Sequence, residues 1–390
     1  MTTEPTTTIL QGDCREVLKG LPTNSVHCSI SSPPYLWQRD YGVAGQIGLE
    51  ATVYEYIEAL MQVYREVWRV LRNDGTCFVN LGDSYATNNH FANKVQGNPE
   101  FNLGRESRAQ TKLHVHGVPK GFKRKSLIGV PWRFAFAMMD EGWILRQEII
   151  WHKVNPMPES CLDRPHTAHE RIFLFSKKEK YYYDAEAVKE PATGGAHSRG
   201  RGNNPKKLAA VKGEVRANES FDTPYLVEMR HRRSLWSGPN QAWEGAHFAT
   251  FPEWLIEPCV LATPSQTCEH CGKGWVRIVE HSDPIPTGRG GSHKQRELIR
   301  ERRGETSLAT SAIANGALRQ TKTLGWKPGC KCQGNTGAGR AVILDPFAGS
   351  GTTGQVATRF GRRSILIDLN PEYIEQAEQR TDRVQLQFVG

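Results

Sequence analysis

The chain has 390 residues with 38% hydrophobic and 9% aromatic content, enough apolar material for one large or two ordinary domains with a real core. No apolar run approaches the roughly 20 residues of a membrane helix, and the Thr-rich start does not resemble a secretory signal. An intracellular protein with no membrane partner is expected, and the net charge of +9 favours a polyanionic partner, because each phosphate neutralised by Lys or Arg releases a counterion.

Residues 8–11 make the first strand candidate, and Asp13 can cap a short helix after it. Residues 26–30 are apolar and β-leaning, and they run into Ser31-Ser32-Pro33-Pro34-Tyr35. Two consecutive prolines cannot continue a central strand, so a loop begins at that strand's carboxyl end. From Val53 to Leu71 apolar residues recur in steps of three and four, which predicts an amphipathic helix. Asn73-Asp74-Gly75 should end it, with a strand over 76–81. Residues 86–125 carry eight Lys or Arg against two acids and read as a polar, basic insert. A helix over 127–139, with Pro131 near its start, precedes strands over 144–152 and 171–176.

Residues 190–240 are rich in Gly, Pro, Asn and Arg and have little periodicity, as an inserted region would. A short helix over 251–259 should be closed by Pro258. The basic stretch 282–327 is expected to be mobile. The tail then reads as one β-α-β-α unit: a strand over 341–344, a Gly-rich turn over 345–351, a helix over 352–360, a strand over 364–367 ending at Asp368, and a last helix opened by Pro371.

Nine cysteines, an odd number, argue against a disulfide framework. Cys268-x-x-Cys271 and Cys330-x-Cys332 form two tight pairs, while Cys14, Cys28, Cys77, Cys161 and Cys259 are scattered. The pairs can give four thiolates to one tetrahedral zinc, with Gly272 and Gly329 helping the chain turn. Four protein ligands leave no open position, so this zinc would be structural. The 58 residues between the pairs exceed a usual ribbon, and unligated thiols are the competing reading.

Gly349-Ser350-Gly351-Thr352-Thr353-Gly354 fits G-x-G-x-x-G, a weak signal alone. Its glycines would let the backbone approach a ligand closely, and Asp368 at the tip of the next strand could accept ribose hydroxyls. Both NAD and S-adenosylmethionine suit that geometry. Asp345-Pro346-Phe347-Ala348, however, separates the strand from the first glycine. A dinucleotide site usually places its first glycine directly after the strand, aiming the helix at a pyrophosphate. S-adenosylmethionine has instead a sulfonium and an amino acid end, beside which Asp345 is chemically sensible.

The exocyclic amino group of a base is a poor nucleophile, because its lone pair is delocalised into the ring. Acceptors aimed at its two protons draw it toward tetrahedral geometry and stabilise the charge that develops. Ser32, a backbone carbonyl stiffened by Pro33 and Pro34, and Tyr35 as a stacking partner supply these parts in order. The base must also be extruded from a duplex to reach them.

These two segments resemble the motifs of the amino-methyltransferase family of DNA modification enzymes. Asp-Pro-Phe-Ala-Gly-Ser-Gly-Thr-Thr at 345–353 is similar to the cofactor motif, and Ser-Pro-Pro-Tyr at 32–35 to the catalytic motif. The catalytic motif comes first and a long variable segment lies between them, as in the β group. The resemblance implies a Rossmann-like α/β S-adenosylmethionine-dependent methyltransferase fold, with a mostly parallel seven-stranded sheet in circularly permuted motif order. It implies a cofactor site of Asp13, Cys14, Asp345, Pro346, Phe347, Gly349, Ser350, Gly351, Thr352, Thr353 and Asp368, with Asp13 accepting from the adenine amino group. The segment from Trp151 to Pro156 resembles one near the base pocket, and Phe251-Pro252 opens a helix similar to the one that covers the cofactor methionine.

In that family Ser-Pro-Pro-Tyr more often accompanies cytosine N4 methylation and Asp-Pro-Pro-Tyr adenine N6, so cytosine N4 is expected and adenine N6 is the alternative. DNA is the implied partner, a cognate restriction endonuclease a candidate one, and a bacterial or phage-infected cytoplasm the implied setting. The expected organisation is a catalytic part over 1–183 with the basic insert, a target-recognition region over 184–246, a return to the core over 247–264, a zinc insert over 265–335 and a cofactor part over 336–390. Arg199, Arg201, Lys206, Lys207, Arg230, Arg232 and Arg233 make the recognition segment basic. Two rival readings are a nicotinamide-dependent oxidoreductase, which leaves Ser32 to Tyr35 without a role, and a non-catalytic DNA-binding protein, which predicts a damaged motif that is not seen.

Overall fold

The computed structural model describes residues 7–87, 118–191, 229–241, 251–281, 285–286, 317–318 and 321–387. The chain divides into two compact units, one of residues 1–188, 233–275 and 328–390, the other of residues 189–232 and 276–327. The strands in chain order are β1 (Thr7–Gln11), β2 (Val26–Ser31), β3 (Leu71–Leu81), β4 (Ile144–Lys153), β5 (His169–Ser176), β6 (Glu190–Pro191), β7 (Met229–Arg230), β8 (Leu235–Gly238), β9 (Val276–His281), β10 (Ile285–Pro286), β11 (Ala317–Leu318), β12 (Thr321–Lys327), β13 (Val342–Asp345) and β14 (Arg363–Asp368).

The first unit is built on one eight-stranded sheet in the order β1-β14-β13-β2-β3-β5-β4-β8. β1, β14, β13, β2 and β3 are mutually parallel, and β5 pairs antiparallel with both β3 and β4. The seven strands expected from the sequence are all in it; the eighth, β8, adds to the edge parallel to β4. Alternation along the strands sends apolar side chains to two cores. Cys77, Val79, Leu81, Phe173, Phe175 and Leu344 pack with the helices Val53–Val70 and Val130–Asp140. Cys28, Ile30, Phe78, Leu174 and Ile343 pack with the helices Glu253–Leu261 and Thr352–Arg359.

Local chemistry fixes the helix ends. Thr52 and Glu55 form a reciprocal capping box at the start of Val53–Val70. Gly129, in the left-handed region, precedes Val130–Asp140, and the Asp83 carboxylate accepts the Gly129 and Val130 amides at 3.0 Å each. That helix therefore starts three residues later than expected from the sequence. Strand β3 starts at Leu71, directly after the helix, so Asn73-Asp74-Gly75 lies inside the strand and not in a separate turn. Pro258 does not close its helix, which runs on to Leu261 because Leu255, Ile256, Cys259 and Val260 are buried against the sheet.

In the second unit β9 and β12 form an antiparallel hairpin, β10 pairs with β11 and β6 with β7. Lys189 Nζ donates to Thr321 Oγ1 at 2.8 Å, joining its two chain segments. Most of the basic insert over 86–125, of the stretch 282–327 and of the segment carrying Arg199, Arg201, Lys206 and Lys207 lies outside the described residues. Among the described residues no helix is long and apolar enough to cross a membrane.

Candidate active site

The Gly-rich turn leaves the carboxyl end of β13, and the Ser-Pro-Pro-Tyr turn leaves the carboxyl end of β2. These strands are parallel neighbours, with Leu344 opposite Ser29. Adjacent strands lie about 4.8 Å apart, so Asp345 and Ser32 emerge side by side although they belong to opposite ends of the chain. From β13 the chain crosses to β14 on the side away from β2. The two turns thus sit at the point where strand order reverses, where open α/β sheets bind ligands.

The Gly-rich turn is organised around two buried carboxylates. Asp345 is 1% exposed; it accepts the Phe347 amide at 3.0 Å and the Thr353 hydroxyl at 2.5 Å. Burial raises its carboxyl to about 7. Asp368 accepts the amides of Gly349 and Asn370, each at 2.8 Å, and burial raises it as well. Among the described residues neither carboxylate has an ion-pair partner. A ligand carrying positive charge would supply what both lack, which fits a sulfonium and an amino acid ammonium better than a pyrophosphate. Gly351, at φ 79°, caps the following helix; a Cβ there would meet Ala377 Cβ at 2.8 Å. Gly349 has open space where its side chain would be, so a ligand can approach the backbone.

Ser350 and Thr352 are fixed from below by Arg380, which donates to their hydroxyls at 3.0 and 2.8 Å and pairs with Glu253 at 3.3 Å. Pro346 and Phe347 follow Asp345 in the turn, and Phe347 packs on the core. Asp13 caps the short helix Cys14–Val17, accepting the Arg15 amide at 2.9 Å. Its carboxylate is also held by the Arg15 guanidinium at 2.5 to 3.0 Å, chiefly a hydrogen-bonded pair that keeps it below the usual carboxylate range. Cys14 is buried beside it, and burial pushes its thiol up to about 12.

Around the Ser-Pro-Pro-Tyr turn and Lys153, both singled out in the sequence, the structure brings in Asn80 and Glu170, which sequence reading missed. The Tyr35 hydroxyl donates to Glu170 Oε2 at 2.6 Å. Asn80 Nδ2 lies 2.9 Å from both the Tyr35 oxygen and Glu170 Oε2, and 3.4 Å from Ser32 Oγ. Lys153 forms a short ion pair with Glu170 Oε1 and sits over the Trp151 ring at 4.5 Å. Burial, then the Glu170 carboxylate, push the Tyr35 hydroxyl well above its ordinary range. The Pro34 carbonyl accepts the Tyr56 hydroxyl at 2.8 Å. A signal existed for Asn80, a polar residue near the carboxyl end of an apolar strand. Glu170 is the second residue of β5, and because β5 runs antiparallel its start lies at the same sheet edge.

The four paired cysteines lie elsewhere. The Sγ atoms of Cys268, Cys271, Cys330 and Cys332 all fall within 4.8 Å of one another. Tetrahedral zinc with bonds of about 2.3 Å needs sulfurs about 3.8 Å apart, so this thiolate set fits zinc with slight closure. Asn335 Nδ2 donates to Cys330 Sγ at 3.3 Å, and its Oδ1 accepts the Trp275 indole N–H at 3.0 Å. Arg72 donates to the Cys271 carbonyl at 3.0 Å, and Lys273 pairs with Asp74 at 2.8 Å. These anchors belong to the early part of β3, toward the opposite edge of the sheet from Ser32 and Asp345. Such a zinc holds structure and takes no part in methyl chemistry.

Comparison with known proteins agrees with this geometry. The family model described as DNA methylase matches residues 26–266 and 338–379. The type II methyltransferase M.XycI of Xanthomonas campestris pv. cyanopsidis is 33% identical over 374 residues, 96% of this chain and 87% of that protein. M.SmaI of Serratia marcescens is 33% identical over 372 residues, 95% of this chain and 89% of that protein. Among solved structures, the PvuII DNA methyltransferase (cytosine-N4-specific) has the same fold at a TM-score of 0.50 and 17% identity, covering 100% of this chain and 95% of that one.

Proposed function

The chain belongs to the N6/N4 DNA methylase family and is a DNA methyltransferase, and from that premise we propose that it transfers the methyl group of S-adenosylmethionine to cytosine N4 of an extruded base. The observation that carries this reading is the pairing of Leu344 with Ser29, which sets the Gly-rich turn beside the Ser-Pro-Pro-Tyr turn.

Bound S-adenosylmethionine supplies an electrophilic methyl on a positively charged sulfur. The turn over 345–353 would cradle it, with Gly349, Gly351 and Thr352 offering backbone, Pro346 and Phe347 bounding the cavity, and Asp345 and Asp368 balancing its charge. A carboxylate has about four acceptor sites, so Asp13 can hold an adenine amino group alongside Arg15. On the other side Ser32 Oγ and the Pro33 carbonyl would accept the two amino protons, since the Pro34 carbonyl is taken by Tyr56. Those acceptors draw the nitrogen toward tetrahedral geometry and stabilise its developing charge. The Tyr35 ring would stack on the base.

Cytosine N4 is preferred because Ser-Pro-Pro-Tyr more often accompanies it in the family; adenine N6 is the alternative, because its amino group presents the same two protons. Methylated DNA digested to nucleosides should contain N4-methylcytosine. N6-methyladenine would move the assignment to the alternative, and absence of any transfer from labelled S-adenosylmethionine would end it. The basic insert over 86–125 and the segment 184–246 are proposed to contact the DNA. By analogy with its type II relatives, the enzyme would act in the cytoplasm to protect sites cut by an endonuclease of the same specificity.

A further inference from the structure

A serine hydroxyl can donate or accept a hydrogen bond. Ser32 serves an amino group only if its own proton points elsewhere. The surrounding side chains dictate that direction. The Glu170 carboxylate is acceptor-only, and its Oε1 is paired with Lys153. Its Oε2 takes the Tyr35 proton at 2.6 Å and an Asn80 N–H at 2.9 Å. With its single proton committed to Glu170, the Tyr35 oxygen can only accept. It receives Asn80 Nδ2 at 2.9 Å and stands 3.5 Å from Ser32 Oγ, whose hydroxyl donates to it. The Asn80 amide cannot be turned the other way, because its oxygen would then face a carboxylate. The hydroxyl protons therefore run from Ser32 through Tyr35 to Glu170, while Asn80 Nδ2, 3.4 Å from Ser32 Oγ, donates toward the serine oxygen and likewise leaves it an acceptor.

We propose that Glu170 is a positioning residue that sets the direction of this chain through Tyr35 and Asn80, and so makes Ser32 Oγ an acceptor for the amino group of the extruded base. The inference rests on the methyl-transfer reading above and names the residue that gives its catalytic serine the correct polarity. A glutamine at 170 would keep the shape but offer an N–H to the Tyr35 oxygen, freeing the tyrosine proton to point at Ser32 and reverse the chain.

The test is single-turnover methyl transfer by Glu170→Gln and Tyr35→Phe, alone and together. Each single variant should lose about ten- to a hundredfold in rate, the worth of one misdirected hydrogen bond in the transition state. KM for DNA and for S-adenosylmethionine should stay within about twofold. The double variant should be no slower than the slower single one, since both break the same chain. A wild-type rate in either single variant, or losses that multiply in the double, would overturn the proposal. So would a loss that falls wholly in KM, as general damage to the pocket would produce. If the wild-type enzyme itself transfers no methyl group to DNA, the functional reading fails first; if only the variants behave as wild type, the failure belongs to Glu170 alone.

Discussion

His27 donates from Nε2 to the Gly272 carbonyl at 2.8 Å, while its Nδ1 accepts the Val342 amide at 3.0 Å. Burial lowers this imidazole to about 4, so it stays neutral and both nitrogens are used. One side chain thus ties the cysteine cluster to the start of β2 and to β13, the two strands that carry the active-site turns.

The cysteine cluster should therefore matter for stability and not for chemistry. The purified protein is expected to hold about one zinc per chain. Cys330→Ala should remove it and lower Tm by about ten degrees or more, since structural zinc binding is coupled to folding. Cys161→Ala, away from the cluster, should leave the metal in place. Elemental analysis with thermal unfolding checks both, and a stable, fully active protein without bound metal would refute the assignment.

Asp345 gives a pH dependence whose sign is fixed by its raised pKa. The folded value of about 7 lies above the ordinary aspartate value of 3.8, so the native state binds the extra proton between them. This carboxyl thus costs nothing below the unfolded value; the free protein loses stability through it as pH rises from there to about 7, and the full loss remains above 7. A cationic ligand favours the ionised form. Binding of S-adenosylmethionine should release a proton at pH 6 and almost none at pH 8, with affinity rising across that range. Calorimetry in buffers of different ionisation enthalpy measures this directly. Asp345→Asn should abolish the proton release, and a pH-independent affinity in the wild type would contradict the charge argument.

How far the sequence reached depends on whether neighbours in space were neighbours in the chain. The β-leaning run ending in Ser32-Pro33-Pro34-Tyr35 and the tail from 341 are contiguous, and both strands and their turns were legible. Tyr35 and the segment holding Lys153 were legible too, but their joining to Asn80 and Glu170 was not, because the four come from the loop after β2 and from β3, β4 and β5, and only the antiparallel return of β5 brings its first residues to that edge. Similarly, Pro258 looked like a helix terminator by local rules, but burial of Cys259 and Val260 outweighs one missing hydrogen bond. The region proposed to read DNA offered least, since Gly, Pro and Arg set no period.

Arg380 should couple stability to cofactor binding. It is 6% exposed and bridges Glu253, Ser350 and Thr352. Arg380→Met would strand part of the Glu253 charge and release the Gly-rich turn, costing about 3 kcal/mol in urea unfolding and weakening S-adenosylmethionine binding. Arg380→Lys should not restore it, because an ammonium cannot present the forked geometry that reaches Glu253, Ser350 and Thr352 together. Unchanged cofactor affinity in Arg380→Met would show that the turn is held by other means.

Gly82 offers a way to move Tyr35 without altering its chemistry. A Cβ at this position would lie 2.5 Å from Tyr35 Cε2 and 2.9 Å from Cδ2. Contacts that close require something to shift, and the ring is pinned at its far end by Glu170 and Asn80. Gly82→Ala should therefore displace the ring from its stacking position and stretch the hydroxyl away from its acceptor. The cofactor half lies on β13 and β14, so S-adenosylmethionine affinity should be preserved while the methyl-transfer rate falls about a hundredfold, as expected for a misplacement of about 1 Å. Tyr35→Ala combined with Gly82→Ala should be no worse than Tyr35→Ala alone, because the clash then has nothing to push. If Gly82→Ala instead lowers cofactor affinity in parallel with rate, the strain is reaching the Gly-rich turn, and the two halves of the site are less independent than their separate strands imply.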